Sequence, residues 1–186
     1  MRILLIRHGD PDYVNDTLTK KGCREAELLA QRAIHLNLGD CYMSPLGRAQ
    51  HTAKPCLEAV GCEAKTLEWL QEFPAQLDIN KAPELAVVYP DVSKNEQGYL
   101  PRIVWDMMPE YLTEHNEYMD RIAWRESLVA QCSDMVEVYD TVIKEFDALL
   151  AQYGYVRENG HYHVEKESTE TITLFCHFGL IGVLLS

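Results

Sequence analysis

Residues 2–9 read Arg-Ile-Leu-Leu-Ile-Arg-His-Gly, and this stretch decides the fold class. An apolar run that ends at a cation, an imidazole and a glycine is typical of a buried parallel strand, here residues 2–6. Ligands of open α/β sheets bind at the carboxyl ends of strands, so Arg7 and His8 become candidate site residues. Gly9 would let a ligand approach the backbone closely. Alternatively, Arg7 and His8 belong to no site and are simply polar residues at the point where the strand meets solvent.

Strands are predicted to alternate with helices along the rest of the chain. A helix opens at Thr19, a predicted N-cap, with Cys23, Ala26, Ala30 and Ala33 at helical spacing. Further predicted elements are strands at residues 41–43, 64–67 and 171–176, helices at 44–60, 120–153 and 178–186, and a hairpin at 156–164 around Asn159-Gly160.

This alternation predicts an α/β fold, a three-layer α/β/α sandwich around a mostly parallel sheet. A chain of 186 residues fits one domain, spanning residues 1–186. Residues 73–125 hold five of the eight prolines, which predicts an irregular, partly helical insertion that covers the active site and shapes specificity. The apolar segment 178–186 ends without a cap or polar tail, so we expect the natural chain to continue beyond Ser186.

Composition excludes several kinds of partner. The formal net charge of −12 disfavours nucleic acid and anionic membranes. No apolar run reaches membrane-spanning length, and the four apolar residues near the N-terminus are too few for a signal peptide. The six cysteines contain no Cys-x-x-Cys pair, which favours free thiols in a reducing cytoplasm over disulfides or zinc. The oligomeric state is left open.

Residues 44–48, Ser-Pro-Leu-Gly-Arg, form a second strand-to-helix junction, with Ser44 as predicted N-cap and Pro45 at the first helical position. Arg48 then falls in the first turn, where the helix dipole disfavours cations. No acidic residue occurs in this helix before Glu58, so we expect a bound anion to offset Arg48. In the alternative, Arg48 swings out to solvent.

A third junction, Cys-His-Phe-Gly at residues 176–179, again follows a predicted strand and precedes a helix. A lone histidine at such a position would more often be a satisfied core or surface residue than a catalyst. His177 becomes a site candidate because it repeats the pattern of His8 at another strand end.

These motifs, in this order, resemble those of the histidine phosphatase (phosphoglycerate mutase-like) superfamily, on its small-phosphatase and mutase branch. Arg-His-Gly alone would be a weak signal, whereas five ordered elements are specific. The resemblance spans most of the chain outside residues 73–165. Its elements are Arg7-His8-Gly9, Leu18-Thr19-Lys20-Lys21-Gly22, Ser44-Pro45-Leu46-Gly47-Arg48-Ala49 with Thr52-Ala53, Leu70-Gln71-Glu72, and His177 with Gly179.

The resemblance implies a phosphoric monoester hydrolase that acts on a small phosphorylated substrate and releases inorganic phosphate. His8 would be the catalytic nucleophile and would carry the phosphoryl group as phosphohistidine. Arg7, Arg48 and His177 would bind the phosphoryl oxygens and stabilise the charge of the transition state.

The resemblance also implies a carboxyl group that protonates the leaving oxygen and later takes a proton from water. Glu72 and Glu68 compete for this role. We favour Glu72, because Leu70-Gln71-Glu72 matches the pattern of the family.

Two departures from the family pattern affect the expected site. Residues 10–13, Asp-Pro-Asp-Tyr, replace the Glu or Gln and Thr or Ser that commonly follow the Arg-His-Gly motif. Asn15 is the candidate replacement for the phosphate contacts of this loop. His177 is followed by Phe178 rather than by the Asp of the acid phosphatase and phytase branch.

No cofactor and no metal are expected. His161 and His163 share one face of a strand, but no third ligand is suggested near them. Two other functions stay open: a phosphoglycerate mutase-type phosphotransferase with the same centre, and a catalytically inactive protein that binds a phosphate ligand.

Overall fold

The structure is a computed structural model that describes residues 1–186. Its strands are β1 (Arg2–Arg7), β2 (Pro11–Asp12), β3 (Thr17–Leu18), β4 (Asp40–Met43), β5 (Ala64–Thr66), β6 (Gln76–Leu77), β7 (Lys94–Asn95), β8 (Gly98–Tyr99), β9 (Arg102–Ile103), β10 (Tyr155–Glu158), β11 (His161–Val164) and β12 (Thr171–Cys176). Its α-helices are α1 (Lys20–Ala33), α2 (Gly47–Val60), α3 (Pro109–Glu114), α4 (Leu128–Gln131), α5 (Met135–Ala151) and α6 (Phe178–Leu184). None of them combines the length and apolar character that crossing a membrane requires.

The chain divides into two compact units, of which the first contains Met1–Phe73 and Val142–Leu185. This unit holds a sheet of four strands in the order β1-β12-β4-β5, and every neighbouring pair is parallel. Outside the sheet, β10 and β11 form the predicted hairpin around Asn159-Gly160, both with positive φ. The predicted α/β fold with a parallel sheet is confirmed.

Strand β12 is buried along its whole length and separates two apolar cores. Ile172 and Leu174 pack in one core with Phe146 of α5 and Leu180 of α6. Phe175 belongs to the other core, to which α1 and α2 contribute small side chains. Because successive strand residues point to opposite faces, the helices form one layer on each side of the sheet.

Three local predictions are wrong. Strand β1 was expected to be buried, but it lies at the edge of the sheet and is only partly buried. Cys23 is exposed, and Gly22 takes the buried position of that turn of α1. The helix predicted over residues 120–153 is replaced by α4 and α5, because the Ser127 and Ser133 side chains accept hydrogen bonds from nearby backbone N–H groups and start new turns.

The second unit contains Pro74–Thr141 together with Ser186. Short 3₁₀ turns, the two-residue strand pairs β6–β9 and β7–β8, and the helices α3 and α4 surround buried Leu77, Ile79 and Leu85. The irregular character predicted for this region is confirmed. Its predicted role in covering the site and the assignment of residues 1–186 to one domain stay predictions.

We expect Gly39→Ala to destabilise the protein, by about 1–3 kcal/mol. Gly39 precedes β4 with a φ of +59°, and an added Cβ would lie 1.8 Å from the Thr171 carbonyl oxygen at the start of β12. Urea unfolding followed by circular dichroism measures the change. The matched control is Gly182→Ala in α6, where a Cβ meets nothing within 4 Å and a helical alanine is favoured. Equal stabilities of the two variants would contradict this account.

Candidate active site

His8 follows β1 directly and is only 6% exposed. Its Nδ1 lies 2.8 Å from the carbonyl oxygen of Gly9, so Nδ1 carries the proton and donates it there. The Gly9 N–H in turn donates to Thr52 Oγ1 at 3.0 Å, and the Thr52 hydroxyl donates to the Arg48 carbonyl at 2.8 Å. Helix α2 therefore holds the loop that selects the tautomer of His8, and Nε2 is left with a lone pair.

Arg48 lies in the first turn of α2, 8% exposed, and it has a carboxylate partner that the sequence argument did not anticipate. Its Nη1 donates to Asp16 Oδ1 at 2.7 Å, and the Gly47 N–H donates to Asp16 Oδ2 at 2.6 Å. Asp16 thus offsets both the buried guanidinium and the positive helix end. Arg48 is therefore offset without a bound anion and does not swing out to solvent, and the expected anion stays a prediction. Its buried Nε has no hydrogen-bond partner in the protein.

His177 is fully buried at the end of β12, and its ring centroid lies 5.1 Å from that of His8. Its Nε2 lies 2.7 Å from Ser44 Oγ, whereas its buried Nδ1 has no partner. Ser44 is not the predicted N-cap: α2 begins at Gly47, and the Ser44 hydroxyl accepts from the Leu46 N–H in the turn before it. The later helix start leaves Ser44 at the strand end, where it meets His177.

Glu72 is the carboxylate that the structure brings to the histidines. Its Oε1 accepts the N–H groups of Gly179 at 2.9 Å and of Phe73 at 3.1 Å. Its carboxylate and the ring nitrogens of His8 and His177 lie within 4.8 Å of one another. Glu68, the competing candidate, is exposed on a 3₁₀ turn.

The two remaining candidates lie further out. Arg7 is exposed, with its guanidinium carbon 5.7 Å from the centroid of the Phe178 ring, yet its charge still acts on both histidines. Asn15 is also exposed, and its side-chain amide donates to Asp12 Oδ2 at 2.8 Å within its own loop. Its role in phosphate binding stays a prediction, since it would have to give up this contact to bind a ligand.

The environment favours the neutral form of both imidazoles. Burial has the largest effect and lowers the pKa of His8, whereas the hydrogen bond to Gly9 raises it. The charges of Arg48 and Arg7 lower this pKa further, and the charge of Glu72 raises it. Burial, followed by the charges of Arg48 and His8, lowers the pKa of His177 to about 3. A neutral His8 with a free Nε2 lone pair can act as a nucleophile.

Two kinds of ligand are compatible with these side chains. His8, Glu72 and His177 could together hold a metal ion, a set that spacing along the sequence did not reveal because the residues come from three distant segments. The nearby cationic charges of Arg7 and Arg48 favour an anion instead. The unpartnered Arg48 Nε and His177 Nδ1 are both buried hydrogen-bonding atoms that an oxyanion would satisfy.

The sequence profile described as "Histidine phosphatase superfamily (branch 1)" matches residues 3–95, half of the chain. The chain belongs to the histidine phosphatase superfamily. The resemblance of its motifs to this superfamily is therefore confirmed. The matched range contains His8, Arg48 and Glu72.

Individual relatives match over shorter stretches or at lower identity. A protein of Cronobacter sakazakii named "Probable phosphoglycerate mutase GpmB" is 33% identical over 72 residues, which cover 34% of this chain and 34% of that protein. A solved alpha-ribazole phosphatase of Shigella flexneri superposes with a TM-score of 0.51 at 18% identity, covering 100% of this chain and 78% of the other. A mycobacterial glucosyl-3-phosphoglycerate phosphatase gives 0.53 at 19% identity, with 99% and 77% covered. These two structures support the fold alone.

Sequence reasoning missed three residues that hold the site together: Asp16, Ser44 and Thr52. No local pattern connects Asp16 with Arg48, because the pair joins two segments that are far apart along the chain. Ser44 was given the wrong role, since Ser-Pro is a common start of a helix. Thr52 belongs to the quoted motif, but its bond to Gly9 depends on how α2 packs against the loop that follows β1.

At pH 6.5, where an ordinary imidazole is half protonated, we expect His177 to be neutral and His8 to be less than half protonated, because both pKa values are lowered. Nitrogen-15 NMR of histidine-labelled protein measures both titrations. Glu72→Gln should lower the pKa of His8 further, because the Glu72 charge raises it. Glu68→Gln is the matched control and should leave the titration of His8 unchanged. A midpoint for His8 at or above 6.5 would contradict this electrostatic account.

Proposed function

We propose that this protein is a metal-independent phosphomonoester hydrolase that acts through a phosphohistidine on His8. The observation that carries the proposal is the His8 ring, which is buried, has a lowered pKa, and is held by Gly9 in the tautomer that leaves Nε2 free. The Arg48 and Arg7 charges beside it suit a phosphoryl group in transit. Membership of the histidine phosphatase superfamily supports the same chemistry.

In the first step, His8 Nε2 attacks phosphorus while the bond between phosphorus and the ester oxygen breaks. Glu72 gives its proton to the leaving oxygen, so that an alcohol departs. In the second step water attacks phosphorus, the phosphorus–nitrogen bond breaks, and Glu72 takes the proton of the water. The products are inorganic phosphate and the regenerated imidazole. Oε1 of Glu72 stays bonded to two backbone N–H groups, which leaves Oε2 for the proton.

The phosphoryl oxygens would take up the unused hydrogen-bonding groups of the site. If the Ser44 hydroxyl donates to His177 Nε2, then Nδ1 of the neutral ring carries the proton and can donate to an oxyanion. Arg48 Nε is a second buried donor, since Asp16 engages only Nη1. The guanidinium groups of Arg7 and Arg48 would supply the positive charge that a metal ion could otherwise supply.

The substrate would be a small phosphorylated molecule in the cytoplasm. All six cysteines are free, which supports a reducing compartment. We also propose that residues 73–125 contribute to substrate choice. These residues form mainly loops and short turns, and loops commonly carry the residues with which proteins bind ligands.

A phosphoglycerate mutase activity is the second candidate, favoured by the local match to a protein named as such. It would use the same phosphohistidine but pass the phosphoryl group to a second substrate hydroxyl instead of to water. Incubation with 3-phosphoglycerate and a bisphosphate primer distinguishes the two: formation of 2-phosphoglycerate indicates a mutase, and release of inorganic phosphate alone indicates a hydrolase.

We expect His8→Ala to lower phosphatase activity by a factor on the order of 10³ or more, because it removes the nucleophile. Wild type quenched during turnover of a ³²P-labelled aryl phosphate should carry acid-labile, base-stable label on the peptide that contains His8. Activity of the wild type should persist in EDTA. The matched control is His51→Ala, which removes an exposed histidine bonded to Thr17. Full activity in His8→Ala, or activity that chelation abolishes and magnesium restores, would overturn the proposal. A wild type that binds phosphate but never becomes labelled would be the inactive binding protein.

Glu72→Gln should depend on the leaving group. For an alkyl phosphate we expect a loss of about 10²–10⁴-fold, because the alcohol needs the proton of Glu72. For p-nitrophenyl phosphate the loss should be much smaller, since nitrophenolate leaves unprotonated. Steady-state kinetics of both substrates measures the difference. Glu68→Gln serves as the control; if it shows the larger and leaving-group-dependent loss, the assignment of the proton donor is wrong.

A further inference from the structure

Two exposed aromatic rings lie beside the two arginines of the site, and the mechanism above uses neither ring. The centroid of Tyr13 lies 5.4 Å from the guanidinium carbon of Arg48, and that of Phe178 lies 5.7 Å from that of Arg7. Tyr13 is 68% exposed and Phe178 is 63% exposed. Each ring therefore contacts one cation and leaves most of its surface open to a ligand.

Local structure holds both rings at these places. The carboxylate of Asp12 accepts the N–H groups of Val14 and Asn15, at 3.1 and 3.2 Å, which closes the turn that carries Tyr13. Phe178 is the first residue of α6, directly after the fully buried His177. The rings are thus attached to the same segments that would bind the phosphoryl group.

The positions of the rings, rather than their exposure, are what point to a ligand. Each ring centroid lies 5.4 or 5.7 Å from the guanidinium carbon of an arginine that would bind the phosphoryl group, so a ligand held there would meet aromatic surface. A flat ring stacks favourably on Tyr and Phe, and such stacking is specific for aromatic over saturated groups of similar size. Any group esterified to a phosphoryl held by Arg48 and His177 must extend out of this buried end toward the exposed rim.

We propose that Tyr13 and Phe178 form a subsite for the leaving group, and that the substrates of this protein are phosphomonoesters of alcohols that carry a flat aromatic ring. The inference rests on the proposed function, since it takes the phosphoryl group to lie among Arg7, His8, Arg48 and His177. To the proposed function the inference adds the chemical class of the alcohol to which the phosphoryl group is esterified. The ring of the substrate stacks on one or both aromatic side chains, and the arginines behind them polarise the stack.

The test uses phosphonates, whose carbon–phosphorus bond this chemistry does not break, so that binding is measured apart from turnover. Calorimetry compares 2-naphthylmethylphosphonate, its saturated counterpart decahydro-2-naphthylmethylphosphonate, and methylphosphonate. We expect the naphthyl compound to bind about 2- to 10-fold more tightly than the saturated counterpart. Tyr13→Leu and Phe178→Leu, which keep an apolar cover over each arginine, should reduce or remove this preference and leave the affinity for methylphosphonate unchanged. Val14→Ala, at a neighbouring residue that is 93% exposed, is the control and should preserve the preference.

Each outcome separates this inference from the proposed function. Equal affinities for the naphthyl compound and its saturated counterpart, or a preference that survives in both Leu variants, would overturn the aromatic subsite while the hydrolase stands. If none of the three phosphonates binds, the anion site fails and the subsite fails with it. If the preference is found but 2-naphthylmethyl phosphate is not hydrolysed, the subsite stands and the hydrolase fails.

Discussion

The parallel pairing of β1 with β12 places the two histidines side by side, and the chemistry of the site depends on it. In this register Arg7 lies opposite Cys176, and the His8 N–H donates to the Cys176 carbonyl one step beyond the strand. The same kind of bond follows β4, where the Ser44 N–H donates to the Phe175 carbonyl of β12. His8, His177 and Ser44 therefore meet at one edge of the sheet. A shift of the register by one residue would turn one of the histidines to the opposite face.

Two arginines lie at this edge, although the chain as a whole carries −12. Arg48 is buried, and a buried guanidinium without a partner would be strongly destabilising. Asp16 supplies the partner and engages the N–H group of Gly47 at the helix end. An added Cβ on Gly47 would lie 2.2 Å from the Asp16 carbonyl oxygen. Glycine at this position therefore allows the loop that contains Asp16 to pack against the end of the helix. The buried arginine is thereby stable in the free protein, and Nε remains available.

The parts of the fold and site that could be predicted from sequence are those with local signals. Apolar runs ending in polar residues located the strand ends, and the order of the motifs identified His8, Arg48 and His177. Asp16 could not be predicted, because its partner lies 32 residues away and the pairing exists only after folding. Ser44 was misassigned because a local rule for helix starts competed with a tertiary contact to His177. The irregular residues 73–125 carry no periodicity from which any contact could be derived.

One helix controls several of these features at once. The Thr52 hydroxyl, one turn after Arg48, bonds the Arg48 carbonyl and accepts the Gly9 N–H, while the Gly9 carbonyl accepts the His8 Nδ1 proton. The position of the Arg48 guanidinium and the tautomer of His8 are thus coupled through a single chain of hydrogen bonds. Groups held in this way need little rearrangement when charge develops on a ligand, which is how a site gains from preorganisation. A change that moves α2 would consequently disturb both Arg48 and His8, even if neither side chain were altered.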